Sequence, residues 1–245
     1  MIYLLIPDVH EEFEKVERIL HNYESCVNHT VFFGDYMDSF NYNYNQKGHF
    51  IDHLKWLGTA VNKPRRSFLI GNHDVNYFTQ CEQYICSGFA PWKIPLVDQY
   101  LGRAFWKKLD FLKFYQDNGF NYLFSHGGIH PSKLPPYFEF EEEDFNILNE
   151  RIKHDFGADI PTTWLNAGRC RGGRQNVGGI TWLDFRREFE DIEGLIQIVG
   201  HSRDNTVRTI GKSMCIDCGL DYVVILNTAD NTHEIIDTGW DAEER

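Results

Sequence analysis

The sequence is short of basic residues and contains no long apolar run. Its 24 Lys and Arg are outnumbered by 36 Asp and Glu, which gives a formal net charge of −12 and a pI near 5.3. This shortage argues against a broad surface for duplex nucleic acid, because that binding depends on many Lys and Arg contacts to phosphates. The composition does not argue against a small anionic ligand or a local anionic group on a larger one.

The sequence also has few cysteines compared with proteins that are held together by disulfide bonds. Six cysteines in 245 residues indicate free thiols, and Cys215-x-x-Cys218 has no second pair that would complete a zinc or redox site. The apolar run Ile2–Ile6 is too short for a membrane span, and no basic segment with a cleavage site accompanies it. We therefore expect a cytoplasmic protein with no membrane partner.

What the sequence does have is enough apolar content for a large core. Hydrophobic residues make up 42% and aromatic residues 15% of the chain, which predicts one domain over residues 1–245. The first third alternates short apolar runs with helical patterns, an order typical of parallel strands joined by helices. Strands are also predicted at Tyr122–Phe124 and Leu195–Val199.

The pattern changes after His201 to segments typical of β-hairpins, which predict a second sheet. These segments are Thr206–Ile210, Met214–Asp217, Tyr222–Leu226 and His233–Ile236.

Five polar motifs follow the predicted strands. They are Asp8-Val9-His10, Gly34-Asp35-Tyr36-Met37-Asp38, Gly71-Asn72-His73-Asp74, Ser125-His126-Gly127-Gly128 and Gly200-His201. Because open α/β sheets bind ligands at the carboxyl ends of their strands, we expect the motifs to converge. Hard divalent metals favour carboxylate, amide oxygen and imidazole ligands, and two such ions about 3.5–4 Å apart can drive a phosphoryl displacement. Asp35 is the candidate bridging ligand.

In these motifs the chain resembles the calcineurin-like metallophosphoesterases. Its last motif is similar to that of the phosphoprotein phosphatase branch, which includes phage and bacterial protein phosphatases and symmetrical diadenosine tetraphosphatase. The resemblance runs from Asp8 to about Asp217. It implies an α/β fold, α+β in its late part: a four-layer αββα sandwich of two mixed β-sheets flanked by helices.

The resemblance also implies two divalent metal ions and a general acid. The expected ligands are Asp8, His10 and Asp35 for the first ion, and Asp35, Asn72, His126 and His201 for the second. We expect manganese, with iron, zinc or nickel as alternatives. His73 would protonate the leaving group and Asp38 would orient it, unless His73 only caps the helix that follows.

The sequence departs from the phosphoprotein phosphatase pattern at two places. Gly200-His201 lacks the second histidine of a Gly-His-x-His motif, as in that branch. Ser39-Phe40 stands where the branch has Arg-Gly after the second aspartate, so another arginine must bind the substrate phosphate.

We predict that Arg171 or Arg186 binds this phosphate. Arg171 lies in the glycine-rich segment 168–179, which could instead be a plain surface loop, and Arg186 could instead pair with Glu188 or Glu190. The other candidates are Arg174, Arg187 and Arg203.

The implied activity is hydrolysis of phosphomonoesters by direct attack of a metal-bridging hydroxide. The substrate would be a phosphorylated protein, on Ser or Thr, or a small phosphorylated metabolite. A nucleotide hydrolase of the diadenosine tetraphosphatase type is the main alternative. A phosphodiesterase or nuclease is less favoured because the Gly-His-x-His ending is missing and the charge is negative, and a binding scaffold is disfavoured because every expected ligand is present. Nothing in the sequence selects an oligomeric state.

Overall fold

The computed structural model of this protein describes residues 1–40, 46–79 and 82–239. Its strands are β1 (Ile2–Ile6), β2 (His29–Phe32), β3 (Arg66–Phe68), β4 (Leu112–Asp117), β5 (Phe120–Ser125), β6 (Ile196–Val199), β7 (Arg208–Ile210), β8 (Ser213–Cys215), β9 (Tyr222–Asn227) and β10 (Thr232–Asp237). Its α-helices are α1 (Phe13–Tyr23), α2 (Lys47–Ala60), α3 (Asn72–Phe78), α4 (Ile94–Tyr100) and α5 (Glu142–Gly157).

Two mixed sheets of five strands pack face to face. The first sheet has the order β10-β9-β1-β2-β3, with β1, β2 and β3 parallel and β9 antiparallel to β1. The second has the order β4-β5-β6-β8-β7, with β5, β6 and β8 parallel. The predicted αββα sandwich of mixed sheets is confirmed.

Strand β1 shows why this layering follows from the sequence. Successive side chains of a strand point to opposite faces, so both faces of an apolar strand can be buried. Tyr3 and Leu5 pack in the core between the two sheets, whereas Leu4 and Ile6 pack in the core beneath the helices. All four side chains are at most 2% exposed.

Helices cover the outer face of the first sheet and part of the second. In α1, Val16, Ile19 and Leu20 recur at helical spacing and are buried in the same core as Leu4. Helix α5 packs on β4, where the Asn149 side chain accepts a hydrogen bond of 2.9 Å from Phe111 N. No described helix is both long enough and apolar enough to cross a membrane.

The prediction of a second sheet is confirmed, but the assignment of all four late segments to it was wrong. Only β7 and β8 join the second sheet, while β9 and β10 extend the first. Strand β9 has apolar side chains on both faces: Val223 is buried under the helices and Val224 between the sheets. Pairing with β1 in the first sheet buries both faces. The second sheet is completed instead by β4, which was not predicted.

The expectation of free thiols is confirmed for the described cysteines. Cys26, Cys86, Cys170, Cys215 and Cys218 are all unpaired, and Cys81 lies outside the described residues.

One buried amide joins the second sheet to the loop that carries His126. The Gln197 side chain on β6 is fully buried, accepts from Ile129 N at 2.8 Å and donates to Ile129 O at 2.9 Å. This pair of bonds satisfies both backbone groups of Ile129, three residues beyond His126.

We expect Gln197→Leu to lower the free energy of unfolding by about 2–4 kcal/mol, because it leaves a buried N–H and C=O without partners. Urea denaturation measures the loss. Gln116→Leu, at an exposed position on β4, is the matched control and should cost less than about 1 kcal/mol. Equal losses for the two variants would contradict the assigned role of Gln197.

Candidate metal centre

Six strands, three from each sheet, end at one common edge. The parallel strands β1, β2 and β3 of the first sheet and β5, β6 and β8 of the second run into it. The polar residues that follow these strands are Asp8, Asp35, Asn72, His126, His201 and Asp217. The structure therefore brings together all six residues that the resemblance assigns to metal binding, His10 included, and adds Asp217.

The backbone at this edge is unusual. Four of the site residues, His10, Asp35, Asp38 and His201, have positive φ values between 44° and 63°. Non-glycine residues rarely adopt this conformation, and it concentrates where a fold holds functional side chains in place.

Two loops touch at Gly71. A Cβ there would overlap the Asp35 carboxylate, so only glycine lets the loops of β2 and β3 approach this closely.

The first ligand group contains Asp8, His10 and Asp35, whose ligand atoms lie within 4.8 Å of one another. His10 Nδ1 lies 3.1 Å from the carbonyl oxygen of Met37, so it donates and leaves Nε2 as the free lone pair. Nε2 lies 3.8 Å from Asp35 Oδ2. Burial lowers the pKa of His10 to about 4, which keeps this imidazole neutral.

The second ligand group contains Asp35, His126 and His201, with Asn72 beside it. His126 Nδ1 donates to Phe33 O at 2.7 Å, and its Nε2 lies 3.3 Å from Asp35 Oδ2 and 3.0 Å from Asn72 Oδ1. His201 Nε2 is buried without a hydrogen-bond partner among the described residues. Such an atom requires a ligand, and a cation at this point supplies one.

The charges at this edge also fit cations. Burial and the neighbouring Asp217 raise the pKa of Asp8 well above its usual value. Burial lowers the pKa of His126, but the negative charges of Asp35 and Asp8 outweigh burial and raise it to about 9. The carboxylates thus concentrate negative charge in a buried place, where divalent cations would offset it.

His73 and Asp38 form a buried pair next to the ligand groups. His73 Nδ1 lies 3.0 Å from Asp38 Oδ2, and the Tyr77 hydroxyl donates to the other carboxylate oxygen. Burial lowers the pKa of His73, but the charge of Asp35 and the hydrogen bond to Asp38 raise it to about 11. The structure places His73 and Asp38 together, as the resemblance implies.

The helix cap comes from Asp74 rather than from His73. Asp74 Oδ2 accepts from Gly71 N at 2.9 Å, at the start of α3, and Oδ1 accepts from Tyr36 N at 2.7 Å and from Met37 N at 3.2 Å. This carboxylate joins the second and third motifs.

Sequence reasoning missed the residues that surround Asp38. Lys93 is 2% exposed, and its Nζ lies 2.6 Å from Glu11 Oε1 and 3.5 Å from Asp38 Oδ1. Cys86 Sγ lies 3.5 Å from His73 Nδ1. Glu11 adjoins the first motif, which was a usable signal, but nothing in the sequence linked Lys93, Tyr77 or Cys86 to Asp38.

A cavity of about 470 Å³ opens over the ligand groups. Both predicted phosphate-binding residues, Arg171 and Arg186, line it. Arg171 Nε lies 2.7 Å from Asp184 Oδ2, and its Nη2 donates to Ser202 Oγ at 3.2 Å.

Arg186 is paired with Asp204, and among the described residues no ion pair joins it to Glu188 or Glu190. Arg187 and Arg203 also line the cavity, whereas Arg174 is not among the described residues that do.

Two aromatic side chains complete the cavity wall. Phe40 makes edge contacts with two imidazoles, at ring-centroid distances of 5.0 Å to His10 and 5.5 Å to His73. Trp182 packs against His201 with a centroid distance of 5.4 Å.

Sequence comparison matches the chain to no protein-family model and to no curated protein. Comparison of structures does find relatives of the same fold. The chain is similar to a cold-active protein-tyrosine phosphatase of the psychrophile Shewanella sp., with 14% sequence identity, a TM-score of 0.61 and coverage of 96% of this chain and 80% of that one.

A second relative is a protein serine/threonine phosphatase of Saccharomyces cerevisiae, described as similar to human phosphatase PP5. It shares 14% sequence identity and a TM-score of 0.52, over 97% of this chain and 80% of the yeast chain. Together with the two mixed sheets and the five motifs that meet at their common edge, these relatives show that the chain has the calcineurin-like metallophosphoesterase fold.

Proposed function

We propose that this chain is a divalent-metal-dependent phosphatase that hydrolyses phosphomonoesters. The observation that carries the proposal is the convergence, in one cavity, of buried carboxylates with imidazole nitrogens directed at them. Asp35 Oδ2 alone lies 3.3 Å from His126 Nε2 and 3.8 Å from His10 Nε2. His73 and four arginines line the same cavity.

The ligand sets support two ions that share Asp35. Asp8 and His10 would complete the first site, and Asn72, His126 and His201 the second. When bound, divalent cations would activate a water and bind phosphate oxygens. The donors are carboxylate, amide and imidazole, a set that suits manganese as well as iron, zinc or nickel.

His73 is the proton donor in this proposal. Its Nδ1 is held by Asp38, so the other ring nitrogen carries the proton for the departing oxygen. Much of its high pKa comes from the charge of Asp35. Cations at Asp35 would cancel that charge and bring the pKa of His73 closer to neutrality, where a general acid works best.

Asp38 stays in place because its own surroundings are buried and charged. Tyr77 donates to it, and the Lys93 ammonium lies 3.5 Å away while also pairing with Glu11. A buried carboxylate without such partners would be strongly destabilised. The group around Asp38 therefore orients His73.

The cavity arginines would bind the phosphate dianion. A guanidinium offers two parallel N–H donors, and Arg171 and Arg186 both lie at the cavity wall. Each is already held by an aspartate, which fixes its direction before substrate arrives.

Hydrolysis of a nucleotide phosphoanhydride is a second candidate. The specific observation in its favour is that Arg187 and Arg203 also line the cavity, so the site has more arginines than a single phosphate requires.

We expect metal-stripped protein to hydrolyse p-nitrophenyl phosphate and phosphopeptides only after manganese is added. A panel that also contains the bis-ester, dinucleoside tetraphosphates and nucleic acid separates the alternatives. Asp35→Asn should abolish activity and weaken manganese binding in calorimetry, because it removes the shared charge. Asp52→Asn, at an exposed carboxylate on α2, is the control. Faster cleavage of the bis-ester than of the monoester would refute the proposal.

His73→Asn should lower kcat by a factor of about 10²–10⁴ for substrates with poor leaving groups, because their departing oxygen needs a proton. Manganese content should stay nearly unchanged, since His73 belongs to neither of the two ligand groups that share Asp35. The melting temperature should fall, because the variant removes the charged partner of the buried Asp38 carboxylate. Steady-state kinetics with leaving groups of graded acidity measures the effect. Loss of metal together with activity would show a structural role.

Arg171→Ala or Arg186→Ala should lower kcat/KM by a factor of about 10–10³, the size expected for one charge-assisted contact to a phosphate. The corresponding Lys variants should recover only part, because an ammonium cannot form the bidentate contact. Arg174→Ala, outside the cavity lining, serves as the control. Full activity in both Ala variants would show that neither residue binds the phosphate, and Arg203 would become the next candidate.

A further inference from the structure

Phe40 is an apolar side chain in an exposed position at the candidate centre. It is 63% exposed and lines the cavity of the metal ligands. Single exposed apolar residues are common on protein surfaces. Phe40 differs because its ring is held at the site, edge-on to His10 at 66° and to His73 at 87°.

The place of the ring beside His73 determines what it can contact. A leaving group that takes a proton from His73 must lie against that imidazole. The Phe40 ring centroid is 5.5 Å from the His73 centroid, so the leaving group also lies within reach of the phenyl ring. Aromatic rings attract each other at centroid separations of about 4.5–7 Å.

The chemistry of the Phe40 side chain excludes a phosphate contact. A phenyl ring has no hydrogen-bond donor, and its face carries negative potential, so it does not bind an anion. In the proposed function that contact comes from Arg171 and Arg186, which also line the cavity. Phe40 thus offers a flat apolar surface beside His73, the proton donor of the proposed function.

We infer that Phe40 selects aryl phosphomonoesters, the chemistry of phosphotyrosine, by packing on the aromatic ring of the leaving group. The inference rests on the proposed phosphatase activity and specifies its substrate class. A phenolate leaves more readily than an alkoxide because the phenol pKa is near 10. An alkyl leaving group such as serine presents no ring, so its contact with Phe40 is smaller.

The test compares phenyl phosphate with cyclohexyl phosphate, which have rings of similar size but only one of which is aromatic. Phe40→Ala should lower kcat/KM for phenyl phosphate about 3- to 10-fold, the size of one aromatic contact, and change cyclohexyl phosphate less than twofold. Phe40→Trp should keep the preference, and Phe40→Leu, which retains bulk without the ring, should lose it. Tyr137→Ala, at an aromatic residue that is 85% exposed and outside the cavity lining, is the control.

Free phosphotyrosine, a phosphotyrosine peptide and a matched phosphoserine peptide identify the source of the aryl group. Both phosphotyrosine forms should respond to Phe40→Ala as phenyl phosphate does, and the phosphoserine peptide should not. Metal content measured for each variant shows whether His10 and its site are intact.

Two results would overturn the inference while leaving the phosphatase proposal standing. Equal losses for phenyl and cyclohexyl phosphate would show that Phe40 supports the site without selecting a leaving group, and no loss for either would show that it makes no contact. A wild-type protein that hydrolyses no phosphomonoester with manganese present would overturn both proposals together.

Discussion

The Asp35 carboxylate is the interaction on which the site depends. Its Oδ1 accepts from His73 N at 2.9 Å, and its Oδ2 lies 3.3 Å from His126 Nε2. His73 follows a strand of the first sheet and His126 a strand of the second, so one buried charge joins both sheets at their common edge. Burial alone would raise the pKa of Asp35, but the imidazoles of His126 and His73 outweigh burial and hold its pKa far below the usual range.

A buried polar centre of this kind is stable only when its supports are complete. Asp74 satisfies three backbone N–H groups of the second and third motifs, and Gln197 satisfies Ile129 beside the fourth. The Lys93 ammonium pairs with the Glu11 carboxylate and lies close to the Asp38 carboxylate, so it offsets part of their negative charge. Unpaired, each of these groups would cost several kcal/mol, so the supports and the site stabilise one another. The consequence is that the carboxylates and imidazoles of both ligand groups are held close together at one edge of the sandwich.

The cavity is lined by side chains of different chemistry. Two of them are arginines held by Asp184 and Asp204, which would bind the phosphate in the proposed function. Phe40 lies beside His73 and would contact the leaving group if the proposed function is right. The proposed anionic substrate would be bound by these few local cations, so the net charge of −12 does not contradict the proposal.

The sequence by itself determined the parallel strands and the polar residues at their carboxyl ends, whereas the sandwich of two sheets was implied by the family resemblance. Each motif follows a strand directly, so the local pattern that predicts the strand also places Asp8, Asp35, Asn72, His126 and His201 at its carboxyl end. Parallel strands bring those ends to one edge, and the positions therefore follow without knowledge of long-range contacts.

Only the tertiary structure decided which side chains surround those motifs. Lys93 and Tyr77 contact Asp38 although they are 55 and 39 residues away in the sequence. Arg186 pairs with Asp204, which is 18 residues away. The hairpin β9–β10 joins the first sheet because its apolar faces need the space beside β1. These contacts depend on the packing of whole layers, which local periodicity does not encode, and that is why the sequence placed the ligands but not their partners.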